Sequence, residues 1–594
     1  MTEDHRRSRR PLVLGLIALV LVVWLVAVAI QLSAVANEVA DGAAHIETAR
    51  GGTEDLMSLV GAISTNTDDE TVDAGTQLAS AVDDFAAARS SMDSPVLAPI
   101  KVLPVLGRQM RATTLLLDAA VQVGTDTATA IDQLQEIAGE PAATPEDRVD
   151  AVRASQEVLD DLSKAIADPA VGSGRALIGP VRDAHERFVD QLTQTRATVD
   201  SATISLAGVG NLLQGPSTYL VLAANNAEMR SGSGMYLQVG TVTITDGAFQ
   251  LSDFVPAQEL FLDQPGSTLD PEMAARWGSL VPNQEWRNLN LSPRFDESAR
   301  MATEMWAASG RGAVDGVMAI DVVALQRLLT LTGPVEVTTS SGSTTFDTDN
   351  VRNQLLRKQY QDFDDRGERR DLLGDVARSV FDAFNQRPIP AAQLVGLIDQ
   401  NGAERHLLLW SDDPTQEAAW QELGVSGVLP ADAVMLSLIN RGGTKLDPYM
   451  ELHATMTATE DRDHRRVTVT VDLDNTAPDG LPRYVQGPYD GIEAVAGEYI
   501  GILSLTVPAA ATQPTTSADG FAVVGDDGPT RVIGANVAVP RGEQRQVTIS
   551  FDLPDDWDTV QVTSGARVPA TRWTAGTLNW TERRPRTVAL DSLE

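Results

Sequence analysis

The chain has no cysteine, which removes disulfide cross-links, thiolate nucleophiles and cysteine-ligated zinc together. Histidine is scarce. The six, His5, His45, His185, His406, His453 and His464, are scattered without metal-ligand spacing, so no metal and no resident cofactor is expected. Cations are also in short supply: 46 Lys and Arg stand against 82 Asp and Glu, a net charge of -36. Such a chain repels phosphate backbones, and nucleic acid is not expected as a partner.

The 594 residues exceed what one core accommodates and imply several domains. Residues 12–30 form an uncharged apolar run of 19 residues, close to the length that spans a bilayer. Arg6, Arg7, Arg9 and Arg10 precede it. By the positive-inside rule, residues 1–11 are then a cytoplasmic basic tail, 12–30 a transmembrane signal anchor, and the bulk of the chain extracytoplasmic. A cleaved signal peptide is the rival reading, with Ala34, Val35 and Ala36 as its small-residue site.

Residues 31–212 carry apolar positions at steps of three and four, the pattern of packed helices. Pro95, Pro99 and Pro104 interrupt them at a hinge, and Thr144 followed by Pro145, Glu146 and Asp147 marks a helix start. A final helix from about 180 carries Val181, His185, Phe188, Leu192, Thr195 and Val199 on one seam, where His185 reads as a packed residue. An antiparallel bundle and an extended coiled-coil stalk both fit.

Residues 213–447 alternate strands with helices and read as an α/β layered-sheet domain. Its first strand, 219–224, leads into Asn225, Asn226, Glu228 and Arg230 and then the flexible loop Ser231, Gly232, Ser233, Gly234, which places a polar cluster at the lip of a sheet. A second strand, 235–245, turns at Asp246 and Gly247 into a third, 248–254. From 448 to 594 helix signals fade and short alternating strands dominate, most strictly at 466–473, as in an immunoglobulin-like β-sandwich. Trp573 and Trp580 suit either sugar stacking or core packing.

Several of these stretches match a known pattern. YLVLAANNAEMR at 219–230, Asn290 with Pro293 and Phe295, Asp315 with Gly316 and Asp321, Thr332 with Gly333 and Pro334, and Asn440 with Gly442, Gly443, Lys445 and Asp447 occur in order. With Leu103, Pro104, Gly107 and Gln109 at the hinge, they resemble the bacterial envelope family known as domain of unknown function 4012. The resemblance implies a place, the cell envelope, rather than a reaction. Ser231 to Gly234 depart from the family's more usual Gly-Gly-Phe-like turn. More locally, residues 314–337 are similar to a unit of LytR-CpsA-Psr enzymes, membrane-anchored transferases that attach lipid-linked glycopolymers to the wall. That similarity implies arginines and carboxylates around a pyrophosphate and Mg²⁺.

The candidate ligand-binding residues are therefore Asn226, Glu228, Arg230, Arg294, Asp321, Arg369, Asn440 and Lys445. Structural roles compete at each: local ion pairing for Glu228 and Arg230, helix capping for Asp321, a solvated turn around Arg369, and a tight glycine-assisted loop for Asn440 and Lys445. No catalytic residue is assigned. The expected function is a single-pass envelope protein that binds or organises a cell-wall or exported polysaccharide. The alternatives are a glycopolymer phosphotransferase, for which alone Mg²⁺ is expected, and a scaffold subunit with envelope protein partners. Protease added to wall-stripped intact cells is expected to digest the region beyond residue 30; protection of the C-terminus until lysis would reverse the orientation.

Overall fold

The computed structural model describes residues 74–93, 102–339, 342–362, 366–461 and 464–593. The expected basic tail, the transmembrane segment 12–30, the helical stretch that follows it to residue 73, and Pro95 and Pro99 lie outside the described residues. Among the described residues no helix is long and apolar enough to cross a membrane. The chain divides into two compact units: the helices up to Asn211 together with Pro388–Gly396, and Leu212–Arg387 together with Leu397–Glu594.

The first unit is helical. Its helices are α1 (Ala74–Met92), α2 (Leu106–Gly139), α3 (Pro145–Ile166) and α4 (Gly179–Gln214). Phe85 of α1, Leu116, Leu117 and Val123 of α2, Ile166 of α3, and Phe188 and Leu192 of α4 share one buried cluster, so these helices form a compact bundle. Gly124 permits close approach of α1 and α2, since a Cβ there would stand 2.6 Å from Val82 Cγ2. Thr144 and Asp147 close a capping box at the start of α3: Asp147 N–H donates to Thr144 Oγ1 at 3.2 Å, and Thr144 N–H to Asp147 Oδ2 at 2.8 Å. The half-buried His185 ring bonds the Gly172 carbonyl at 3.3 Å. Pro141–Ala142 pairs with Ile389–Pro390, which draws a segment from the middle of the α/β region into the helical unit. Nothing local in residues 388–396 announces that pairing.

The second unit begins with a mixed sheet of β1 (Ser217–Met229), β2 (Gly234–Thr245), β3 (Ala248–Leu251), β4 (Gly316–Asp321) and β5 (Leu407–Ser411). Its order is β5-β4-β1-β2-β3, with β1 and β4 parallel and the other pairs antiparallel. Asp246 and Gly247 adopt φ of 49° and 76°, the left-handed turn that an Asp-Gly pair favours between strands. Leu220, Leu222 and Val239 pack on Trp286 and on Phe295, Ala299 and Met305 of α5 (Phe295–Ala308). From Tyr219 onward every residue of β1 is buried. Any polar side chain there must find a partner inside the protein.

Twelve further strands form two six-stranded sheets. In chain order they are β6 (Ala433–Asn440), β7 (Met450–Asp461), β8 (His464–Asn475), β9 (Tyr499–Pro508), β10 (Thr512–Thr516), β11 (Phe521–Asp527), β12 (Thr530–Val539), β13 (Gln544–Pro554), β14 (Thr559–Thr563), β15 (Arg572–Ala575), β16 (Leu578–Thr581) and β17 (Arg586–Ala589). The sheet orders are β11-β12-β9-β6-β14-β17 and β10-β13-β8-β7-β15-β16. Strand β8 alternates half-buried and buried residues along its whole length, as its sequence pattern requires. The parallel pairs β6–β14 and β7–β15 depart from an immunoglobulin-like sandwich, whose sheets are antiparallel with about seven to nine strands. Strand β6 precedes Lys445 in sequence yet pairs centrally in the first of these sheets, because its apolar run matches β9 over six residue pairs.

Trp573 is buried and donates its indole N–H to Glu582 Oε2 at 2.7 Å; Trp580 stacks on it at 6.1 Å and carries Arg586 over its ring. The pair serves packing, with no free sugar-stacking face between them. Burial pushes the Glu582 carboxyl up to about 7 from 4.5. In this window the folded state holds a proton that the unfolded state has released, so stability present below pH 4.5 is lost as pH rises through about 7. Denaturant unfolding across this range is expected to show a fall of roughly 3 kcal/mol from this group. The slope flattens in Glu582→Gln.

Candidate functional site

The polar cluster of β1 lies within the strand and is buried, instead of ending it at an open lip. The ladder to β2 shifts between Asn225 and Met229, so residues 226–228 bulge out of register. Asn225 anchors the bulge: its Oδ1 accepts the Ala227 N–H at 2.9 Å and its Nδ2 donates to the Tyr360 hydroxyl at 2.6 Å. The expected flexible loop is likewise buried and pinned. Asn290 Nδ2 donates to Ser233 Oγ at 3.0 Å and to the Gly234 carbonyl at 2.7 Å, and Ser437 Oγ donates to the Ser231 carbonyl at 3.0 Å. Gly234 is required there, because a Cβ would meet the Asn225 carbonyl carbon at 2.4 Å.

The candidate residues from the sequence fall into separate contacts. Glu228 and Lys445 form a buried ion pair at 2.6 Å, with the Tyr484 ring 4.8 Å from the ammonium. Burial disfavours the Lys445 ammonium, but Glu228 outweighs it and raises its pKa above the ordinary lysine value. Arg230 donates to the Asn440 carbonyl at 2.9 Å and to Asn288 Oδ1 at 3.3 Å, and burial lowers its pKa to about 10. Asn440 Nδ2 donates to Asp447 Oδ2 at 2.7 Å. Arg294 lies elsewhere, paired with Asp296 at 2.8 Å. Arg369 is on the helix Arg366–Gln386, and its side chain lies outside the described residues.

Asp321 is the member that leads to a cavity. One carboxylate oxygen caps α6 (Val322–Thr332), accepting from Val323 N–H and Ala324 N–H at 2.9 and 3.1 Å. The other accepts from Asn226 Nδ2 at 2.7 Å and bonds His406 Nδ1 at 2.6 Å. The far nitrogen of His406 lies 3.5 Å from Glu404, which pairs with Arg327 at 2.6 Å. Burial opposes charge on His406, but Asp321 and Glu404 outweigh it and raise its pKa above 6.5.

His406, Glu404 and Arg327 line a cavity of about 460 Å³ whose wall also holds Arg352, Arg567, Arg572, Arg583 and Glu451. Five arginines thus face two glutamates in a chain of net charge -36. Arg572 is 3.4 Å from Glu451. Arg567 is 3 % exposed, donates to the Met450 carbonyl at 3.0 Å, and leaves Nε and Nη1 without a hydrogen-bond partner among the described residues. Arg352 and Arg583 have no carboxylate partner among the described residues. Burial lowers the Arg352 pKa and the nearby Arg327 and Arg583 lower it further, against the pull of Asp321 and Glu404. Guanidinium forks crowded in this way can hold phosphate or carboxylate oxygens in two-point contacts.

Residues 214–360 match the model of a family described as Protein of unknown function (DUF4012). Over that stretch, about a quarter of the chain, the protein is similar to this family. No curated protein and no solved structure matches it. The DUF4012 region supplies β1, the pinned loop, Asp321, Arg327 and Arg352, while Glu404, His406 and the remaining arginines of the cavity come from beyond it. None of the five cavity arginines is among the residues singled out by motif. One local signal does exist, Arg583, Arg584 and Arg586 clustered within four residues of an acidic chain. Among the described residues no group of three or more His, Asp or Glu is placed to hold a metal ion.

Lys445→Met strands Glu228 in the interior and is expected to cost about 3–5 kcal/mol in denaturant unfolding. Adding Glu228→Gln removes the stranded charge. The double variant should recover most of the loss, whereas two independent, additive losses would mean the pair is not coupled.

Proposed function

We propose that this DUF4012 protein is an envelope protein, anchored through residues 12–30 with its bulk outside the membrane, that binds an anionic polysaccharide of the cell wall or an exported glycan. The cavity carries the reading. An acidic surface repels anions at long range, so an arginine-walled recess in such a chain selects ligands that present negative charge at close quarters. Two of its guanidiniums, on Arg352 and Arg583, have no carboxylate partner among the described residues. A volume of about 460 Å³ suits a short segment of a chain, one or two sugars with their charged substituent.

Phosphate and carboxylate share the required chemistry. The phosphotransferase alternative has less support, because Glu404 and Glu451 on the cavity wall are already engaged by Arg327 and Arg572. Titration calorimetry of the full chain in detergent separates the ligand classes, using glycerol-phosphate oligomers, galacturonate oligomers and neutral dextran. Binding of at least one anionic oligomer, weakened by salt, and none of dextran is expected. Arg352→Ala should weaken that binding at least about tenfold without loss of stability, since it removes a charge-assisted contact worth about 1.5–3 kcal/mol. Absence of binding by folded protein, or affinity unchanged in Arg352→Ala, would overturn the proposal.

A further inference from the structure

A second surface, in the helical unit, has the opposite character to the rest of the chain. Four of the five residues 102–106 are exposed large apolar side chains: Val102 at 81 %, Leu103 at 47 %, Val105 at 66 % and Leu106 at 47 %. Across from them Ile178 is 48 % exposed on the segment that leads into α4. Gln109 ties the two segments together, accepting the Ile178 N–H at 3.0 Å and donating to the Ala176 carbonyl at 3.2 Å. Ala112, Leu177 and Val181 form the buried layer beneath. The exposed apolar residues therefore sit on a supported platform and do not dangle from a loose chain.

Charge sets this platform apart. With 82 Asp and Glu over 594 residues, acids recur about once in seven, yet residues 102–117 and 169–182 contain none. The same segments carry Arg108, Arg111, Arg175 and Arg182. Of these only Arg182 has a carboxylate near it among the described residues, Asp183 at 3.7 Å. Arg108 and Arg111 also occupy the first two turns of α2, where the helix dipole disfavours cations, whereas α3 opens with Glu146 and Asp147. Among the described residues no carboxylate pairs with Arg108 or Arg111 to offset that placement.

We propose that this end of the helical unit rests on a lipid surface bearing anionic headgroups. Val105, Leu106 and their neighbours would enter the headgroup boundary, and Arg108, Arg111 and Arg175 would meet the phosphates. Apolar side chains flanked by arginines that have no carboxylate partner among the described residues are the combination such an interface selects. A protein surface matching the acidic average of this chain would supply acids for the arginines but no general reason for four apolar side chains within five residues to be left bare.

The absence of native cysteine makes the test direct. Full-length protein carrying either Val105→Cys or, as a control on exposed α3, Glu157→Cys is labelled with an environment-sensitive fluorophore. It is then reconstituted in phosphatidylcholine vesicles with and without phosphatidylglycerol, and circular dichroism checks the fold. The label at 105 is expected to be quenched by a lipid-borne quencher in the anionic vesicles, and the label at 157 only by aqueous iodide. Converting Arg108, Arg111 and Arg175 together to Gln should reduce the lipid quenching at 105 at least about twofold. Quenching at 105 by iodide alone would overturn the proposal. So would a label shielded from both quenchers, which points to a covering protein such as a second copy, or lipid quenching indifferent to both phosphatidylglycerol and the three arginines.

Discussion

Asp447 is the point on which the second unit turns. It is completely buried, and three donors converge on its carboxylate: Met229 N–H at 3.2 Å, Asn440 Nδ2 at 2.7 Å and the Tyr499 hydroxyl at 2.9 Å. Burial still raises its pKa to about 6, with Arg567, Asn440, Met229 and Tyr499 pulling the other way. An ionisable group this deep is tolerable only when its lone pairs are occupied, so the end of β1, strand β6 and strand β9 are bound to one geometry. The Glu228–Lys445 pair fixes the same corner a few residues away.

That corner also positions the cavity. Arg567 approaches Asp447 to 3.7 Å, and Asn226 donates to the Ala566 carbonyl at 3.1 Å next to it. The polar residues of the β1 bulge thus act from behind the cavity wall: they hold the segment that presents Arg567 and, through Asp321, orient His406. Their chemistry is structural, and what it builds is a place where cations outnumber anions.

Much of the fold was readable wherever the signal was local. The capping box at Thr144, the turn at Asp246 and Gly247, the α6 cap at Asp321 and the alternation of β8 each depend on residues within a few positions of one another. Strand β6 carries no recognisable period, because its short run is apolar except for Ser437 and the terminal Asn440. The polar cluster after residue 224 predicts the end of a strand; a bulge and buried partners from residues 290, 360, 440 and 447 let β1 continue. The Ser231 to Gly234 stretch follows the same logic: Gly234 serves close packing against Asn225, a requirement visible only once β1 and β2 are paired.

By itself the sequence determined the chain's chemical limits and its local conformations: no thiol chemistry, a strongly acidic surface, helices before strands, and a family resemblance centred on 219–230. Tertiary structure alone decided which charges stand together. Arg327, Arg352, Arg567, Arg572 and Arg583 come from distant parts of the chain, and whether an arginine is neutralised depends on which carboxylate folding brings beside it. Glu404 reached Arg327 and Glu451 reached Arg572, while Arg352 and Arg583 were left facing the cavity. Coulomb interactions fall off with distance in space and take no account of separation along the chain, so net charge could not reveal a cationic cavity inside an acidic protein.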